Sequence, residues 1–312
     1  FVYQSPNVFS CPILFITYNK PDTTKKVFEK ILSINPEHLI ISSDGPSNDS
    51  ENKIISNLRK YFDDRTINKN FLKLYQEKNI GCKENVIYSI TKSFEKFDKL
   101  IIIEDDTLPS KSFFQYTQKL LNLYEREKKV NLISGYNYLS KSKHDGPFYF
   151  SKYTNIWGWA TWKNRWENRV TLNEENLNKF KNSDLSKVFF SEQEASYFIE
   201  RFEDVVFKQL DTWDYGLIFS NFFTKSVSIV PKYNLVKNIG LGHQNAAHTK
   251  SYFKYLIMTP NVRLSYLQSK RLKFKEISIS IENDIKYHDK ILIKKTFYNR
   301  FVYKLLKIFN LN

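Results

Sequence analysis

Short apolar runs alternate along the chain with longer stretches whose apolar residues recur every three or four positions. "CPILFITYNK" holds a buried strand over 13–18 that ends in polar residues. In "PDTTKKVFEKILSIN", Val27, Ile31 and Leu32 fall at helical spacing behind a Pro-Asp start. "HLIISSDGPSND" reads as a second strand with a turn-rich exit, "SENKIISNLRKYF" as a helix, and "FLKLYQEKNIG" as a third strand leading into a tight turn at Gly81. "KENVIYSITKSFEKF" is helical, 100–103 is a fourth strand, "SKSFFQYTQKLLNLYEREKK" is helical again, and "VNLISGYN" is a fifth strand. This alternation predicts an α/β domain with a mostly parallel sheet flanked by helices. After Gly146 the pattern is less regular and richer in aromatics, with no internal repeat.

Ligands of such sheets sit at the carboxyl ends of the strands. Asp44, the turn at 79–81 and the run Glu104, Asp105, Asp106 all fall there. A buried strand that stops in three carboxylates is electrostatically costly unless a cation arrives. The alternative is a solvated acidic helix start, where carboxylates are favourable. Asp44 in "SSDGP" is either a ligand-binding residue or plain Asp-Gly-Pro turn chemistry. A lone glycine such as Gly81 discriminates little.

Of the 312 residues, 41% are hydrophobic, enough for one large core or two smaller ones. No apolar stretch approaches the roughly 20 residues that span a bilayer. Residues 1–10 show no charged n-region and no long apolar h-region, so no signal peptide is expected. Cys11 and Cys82 are the only cysteines, fewer than a secreted disulfide scaffold carries; they are expected as reduced thiols of a cytoplasmic protein, the alternative being one bridge between them. The formal net charge of +15 suits nucleic acid, anionic lipid or phosphorylated small molecules. No DNA- or RNA-binding signature appears, so no nucleic-acid partner is expected. The tail "KILIKKTFYNRFVYKLLKIFNLN" is basic, and Ile291, Phe297, Phe301, Leu305 and Ile308 form an apolar stripe on a helix. Such a helix either lies on an anionic membrane surface or docks on the domain.

Read in order, strand, "SSDG", strand, "NIG", helix and "IIIEDD" resemble the nucleotide-sugar half of a GT-A-fold glycosyltransferase. "EDD" followed by "LPSKSFFQY" is similar to the carboxylate motif of the N-acetylglucosaminyltransferase I family, in which E-D-D precedes a P-x-F-F stretch. "NIWGWATWKNRW" resembles that family's G-W acceptor-side segment, and "TWDYGL" its W-D-D-W segment. "VPKYNLVKNIGLGHQNAAHT" is similar to the C-terminal part of bacterial relatives, which ends in a His-Thr pair; those relatives carry an acidic residue after the glycine, and His243 departs from that pattern. The resemblance covers residues 12–249.

It implies a GT-A-like catalytic domain over 11–260, with a nucleotide-sugar half (11–137), an acceptor half (138–260) and a basic C-terminal extension (261–312). The reaction implied is metal-dependent, inverting transfer from a nucleotide-diphosphate sugar, UDP-linked in the simplest case, to a bacterial surface glycan or lipid-linked acceptor. Asp106, helped by His248, would hold Mn2+ or Mg2+ against the donor phosphates. Glu104 and Asp105 would face the ribose and sugar. Asp44, Thr17 and Tyr18 would surround the base, and Asn79 and Gly81 would bring backbone close to the nucleotide. Asp214 would be the catalytic base, with Asp211 as its rival. Trp157 and Trp159 would line the acceptor site, and Trp162 and Trp166 the core. The protein would be cytoplasmic or peripheral at the inner face of the plasma membrane. A sugar-phosphate nucleotidyltransferase and a non-catalytic sugar- or nucleotide-binding relative remain as alternatives.

Overall fold

The computed structural model describes residues 8–69, 71–139, 145–240 and 272–289. β1 (Ile13–Thr17), β2 (Leu39–Ser43), β3 (Leu72–Tyr75) and β4 (Lys99–Glu104) pair in parallel in the order β3-β2-β1-β4. Helices α1 (Pro21–Leu32), α2 (Asp49–Arg65) and α3 (Cys82–Phe94) connect them. β8 (Trp159–Trp162) then inserts antiparallel between β4 and β6 (Val130–Ser134). β9 (Val227–Pro231) lies parallel to β6, and β7 (Phe148–Ser151) closes the edge antiparallel to β9. The result is one eight-stranded sheet, β3-β2-β1-β4-β8-β6-β9-β7. Among the described residues only β8 and β7 run against the rest of this sheet, so it is the mostly parallel, helix-flanked α/β sheet that the sequence predicts. β6 lies before residue 137 and β7, β8 and β9 after it, so both stretches contribute strands to this sheet.

The first strands read as unbroken apolar runs because both of their faces are covered. Ile13 and Phe15 point into one core with Val27, Phe28, Phe62 and Phe113. Leu14 and Ile16 point into the other with Val86, Ile90, Phe94, Trp159, Trp166 and Trp213. The first face is closed by α1, α2 and α4 (Lys111–Leu123). On the other side α3 packs beside α5 (Lys163–Glu167). A third, aromatic cluster joins α6 (Glu174–Lys181), α7 (Glu192–Phe207) and α8 (Asp214–Thr224), with Phe180, Phe198, Phe202, Phe219 and Phe222 at its centre.

Two short strands lie outside the main sheet. β5 (Thr107–Pro109), directly after the three carboxylates, pairs antiparallel with β10 (Val236–Asn238), and so brings a segment distant in sequence onto the carboxylate run. Residues 272–289 lie against the domain: Ser280 donates its N–H to Phe150 O at 2.8 Å, and α9 (Ile281–Tyr287) places the buried Asp284 beside Ser151. The amphipathic stretch from Lys290 onward lies outside the described residues. Both cysteines are free thiols. Among the described residues no helix is long and apolar enough to cross a membrane.

Candidate active site at the carboxyl edge of the sheet

Parallel pairing brings three strand ends to one edge. Thr17 pairs with Ser43, and Ile16 with Glu104, so the residues just beyond them, Tyr18, Asp44 and Asp105, emerge side by side.

Asp44 is buried, and its Oδ1 accepts the N–H of Gly45 at 2.8 Å and of Ile80 at 3.0 Å. Its Oδ2 accepts from Asn79 Nδ2 at 3.2 Å. Burial raises this carboxyl above its ordinary range, against the lowering effect of those backbone donors. Asp44 therefore pins the 79–81 turn. Arg59, on α2, reinforces it by donating to the carbonyls of Ser43, Asp44 and Gln76 at 2.7–3.0 Å while its guanidinium lies over the Tyr75 ring. Gly81 then opens α3 with φ of 88°, a left-handed conformation that glycine adopts without strain.

Thr17 departs from its expected place around a nucleotide base. It is 2% exposed, and its hydroxyl donates inward to Ser42 O. Tyr18 does reach the edge: its N–H donates to Asp105 Oδ2 at 3.0 Å and its hydroxyl to Glu51 Oε2 at 2.5 Å. Glu51 also accepts from Asn19 Nδ2 at 2.7 Å and from Ser47 N at 3.0 Å, tying the end of β1 to the start of α2.

The cation demanded by the three carboxylates is supplied, in this chain, by Lys20. Its Nζ lies 3.3 Å from Asp105 Oδ1 and 2.9 Å from Asp106 Oδ2. Burial alone would lower the ammonium, but Asp105 and Asp106 hold it well above its ordinary range. Burial, then the charge of Asp106, pushes Glu104 up to about 8 against the opposing pull of Lys20. Burial likewise raises Asp105. Asp106 is fixed from the far side: its carbonyl accepts Ile239 N–H at 2.7 Å, and a Cβ at Gly240 would come within 2.5 Å of its Oδ2. The segment after β10 thus lies directly on the carboxylate run.

Whether these residues suit a divalent ion is a question of donor chemistry. Asp105 Oδ1 and Asp106 Oδ2 converge on a single point, marked by the Lys20 ammonium, and are hard oxygen donors of the kind Mg2+ and Mn2+ prefer. Among the described residues no three His, Cys, Asp or Glu side chains converge as a complete cage. A pair of carboxylates completed by substrate phosphates is the usual arrangement for Mg2+, so the donor set fits. His248 and His243 lie outside the described residues.

Asp214 is the first residue of α8. Its Oδ1 accepts the N–H of Tyr215 at 2.8 Å and the Thr212 hydroxyl, and its charge helps to raise Glu104. Asp211 instead accepts Lys83 N–H at 3.2 Å at the start of α3. Cys82 feels the charge of both: its thiol is pushed up to about 12 by desolvation and then by Glu104, Asp211 and Asp214. It is no thiolate nucleophile near neutral pH.

The tryptophans divide differently from the sequence expectation. Trp157 is part-buried against Tyr136 and Tyr138, with ring centroids 4.6 and 5.7 Å away. Trp159 is 1% exposed, so its faces offer nothing to a sugar; it stacks on Trp213 inside the core. The reason is β8, whose insertion beside β4 turns this residue inward. Trp162 and Trp166 are buried, as expected. Sequence reasoning missed Lys20, Glu51 and Arg59. Lys20 carried one signal, its place at the carboxyl end of the first strand.

No protein-family model matches the chain, and no characterised protein matches it in sequence. Solved structures overlap it in part. Residues 1–349 of TarS from S. aureus superpose with a TM-score of 0.41 at 10% identity, over 72% of this chain and 59% of that one. HddC from Yersinia pseudotuberculosis gives 0.30 at 10% identity, over 50% of this chain and 77% of its own. A Bacillus anthracis protein described as a glucose-1-phosphate thymidylyltransferase, in complex with sucrose, gives 0.31 at 10% identity, over 62% of this chain and 83% of its own. The chain spans under two thirds of the TarS fragment, and overlaps of this quality leave the reading of the site to its own residues.

Proposed function

We propose that the protein is an inverting glycosyltransferase that moves a sugar from a nucleotide-diphosphate donor, UDP-linked in the simplest case, to a glycan or lipid-linked acceptor hydroxyl. The observation that carries this reading is the convergence at one sheet edge of a cation-binding carboxylate pair, Asp105 and Asp106, with the Asp44-pinned turn and Asp214.

In this reading the turn at 79–81 and the end of β1 cradle the nucleoside, while Asp105 and Asp106 hold Mn2+ or Mg2+. A bound divalent ion would supply positive charge to the departing diphosphate. Asp214 accepts the proton of the acceptor hydroxyl as that oxygen bonds to the anomeric carbon and the carbon–diphosphate bond breaks on the opposite face. The proton ends on Asp214, the bonding electrons leave with the nucleoside diphosphate, and one displacement inverts the anomeric centre. Asp214 suits this role better than Asp211, because its charge acts on Glu104 and on Tyr138, whereas Asp211 accepts the N–H of Lys83 at the start of α3. Trp157, part-buried beside Tyr138, is the aromatic group assigned to the acceptor side in this reading, since the charge of Asp214 acts on Tyr138.

A sugar-phosphate nucleotidyltransferase would need a glycine-rich basic loop after the first strand. Here "YNKP" follows β1, and its one lysine is engaged by Asp105 and Asp106. A surface polysaccharide or glycolipid of a bacterial cell is the acceptor class proposed, with the enzyme at the inner face of the plasma membrane. A thermal-shift screen of nucleoside diphosphates and their sugars, with and without Mn2+, tests the reading, because ligands that bind the native state raise its melting point. A shift with one nucleotide family supports it; no shift with any nucleotide sugar under either condition overturns it.

A further inference from the structure

The ammonium of Lys20 and a divalent ion cannot occupy the same place. Lys20 is held rigidly at its base: its carbonyl accepts Thr24 N–H at 3.0 Å and the Thr23 hydroxyl at 3.3 Å, and Pro21 follows directly at the start of α1. Its long side chain crosses to the end of β4 and is only 16% exposed. There Nζ contacts one oxygen of each of two carboxylates, whose positions are fixed independently. Asp105 is held by Tyr18 N–H, and Asp106 by Ile239 N–H on its carbonyl and by the close approach of Gly240. A divalent ion bound to those same two oxygens would share its ligands with the ammonium and be repelled by that like charge.

We propose that Lys20 is the resident counter-ion of this carboxylate pair, and that a divalent cation enters only by displacing its ammonium. This rests on the reading that Asp105 and Asp106 hold a metal. The pair is then neutralised in both states, by the lysine before metal arrives and by the metal afterwards. The site keeps its geometry without metal, its metal affinity is held down by the competing lysine, and the released ammonium is left beside the position proposed for the donor phosphates.

The test is a Mn2+ titration of the whole protein without donor, followed by electron paramagnetic resonance, for wild type, Lys20→Met and Lys20→Arg. Lys20→Met should bind Mn2+ at least about tenfold more tightly than wild type, and Lys20→Arg no more tightly. In chelator Lys20→Met should melt below wild type, and Mn2+ should close that gap. Equal or weaker Mn2+ binding by Lys20→Met, including no binding by either protein, overturns the proposal. Wild type supplies a second readout that does not depend on the variant folding. Amine labelling at Lys20, read by mass spectrometry, should rise several-fold on saturation with Mg2+, and unchanged labelling contradicts displacement. Donor turnover by wild type is measured separately, so failure here leaves the transferase reading standing or falling on its own result.

Discussion

The indole of Trp159 stacks on that of Trp213, with ring centroids 5.7 Å apart and planes 19° from parallel. Trp213 immediately precedes Asp214, so a residue buried in the sheet core supports the backbone that presents the proposed base. Trp159→Ala should therefore cost about 3–5 kcal/mol of stability, as large-to-small changes of buried aromatics do. Chemical denaturation measures this. A variant of normal stability with a raised acceptor KM would instead return Trp159 to the acceptor site.

Asp214→Asn keeps the size of the side chain but cannot take a proton. Turnover should fall by about 10²–10⁴, the usual contribution of a positioned base, with donor affinity little changed. Asp211→Asn should cost much less, because Asp211 meets the N–H of Lys83 at the start of α3. Steady-state kinetics of the two variants side by side decide between them.

Asp44→Ala leaves the N–H groups of Gly45 and Ile80 without their carboxylate acceptor and frees the turn at 79–81. Donor affinity should weaken by about 10–100-fold, equivalent to about 1.4–3 kcal/mol. Turnover at saturating donor should change far less. Calorimetric titration with a nucleoside diphosphate reads the first effect and kinetics the second.

Asp284 supplies a pH prediction away from the site. Its carboxylate accepts from Ser151 Oγ at 2.5 Å and from Lys152 N–H at 3.0 Å, and feels the charges of Lys152 and Glu194. Burial pushes it from 3.8 up to about 6 despite these donors. A folded pKa above the unfolded one means tighter proton binding in the native state, so this group's contribution to stability is full below its unfolded value and is lost as pH rises to about 6 and beyond. The melting point of wild type relative to Asp284→Asn should therefore drop between pH 4 and pH 7. A constant difference across that range would show that Asp284 titrates normally.

How far these features could be read in advance depends on how local their causes are. β1, β2 and β4 were legible because burial on both faces gives each an apolar run that ends in polar residues. β8 was not, because "WATW" becomes a central strand only through partners on β4 and β6, and its neighbouring tryptophans suggest a surface platform instead. β5 and β10 span three residues each and exist by pairing with one another. At the edge, Asp44 and the carboxylates after β4 could be singled out because each comes directly after its strand. Lys20 was missed because its role depends on Asp105 and Asp106, which lie 85 and 86 residues further along the chain. Arg59 looked like one more cation on a helix until the ends of β2 and β3 were placed around it.

The most direct measurement of the central claim is release of nucleoside diphosphate from a panel of nucleotide sugars, monitored in parallel for wild type and Asp214→Asn, with the anomeric configuration of the product read by proton NMR. One donor family should turn over, Asp214→Asn should slow it by at least about a hundredfold, and the product should carry the inverted configuration. Turnover of no nucleotide sugar, or a product that retains the donor's configuration, would contradict the account.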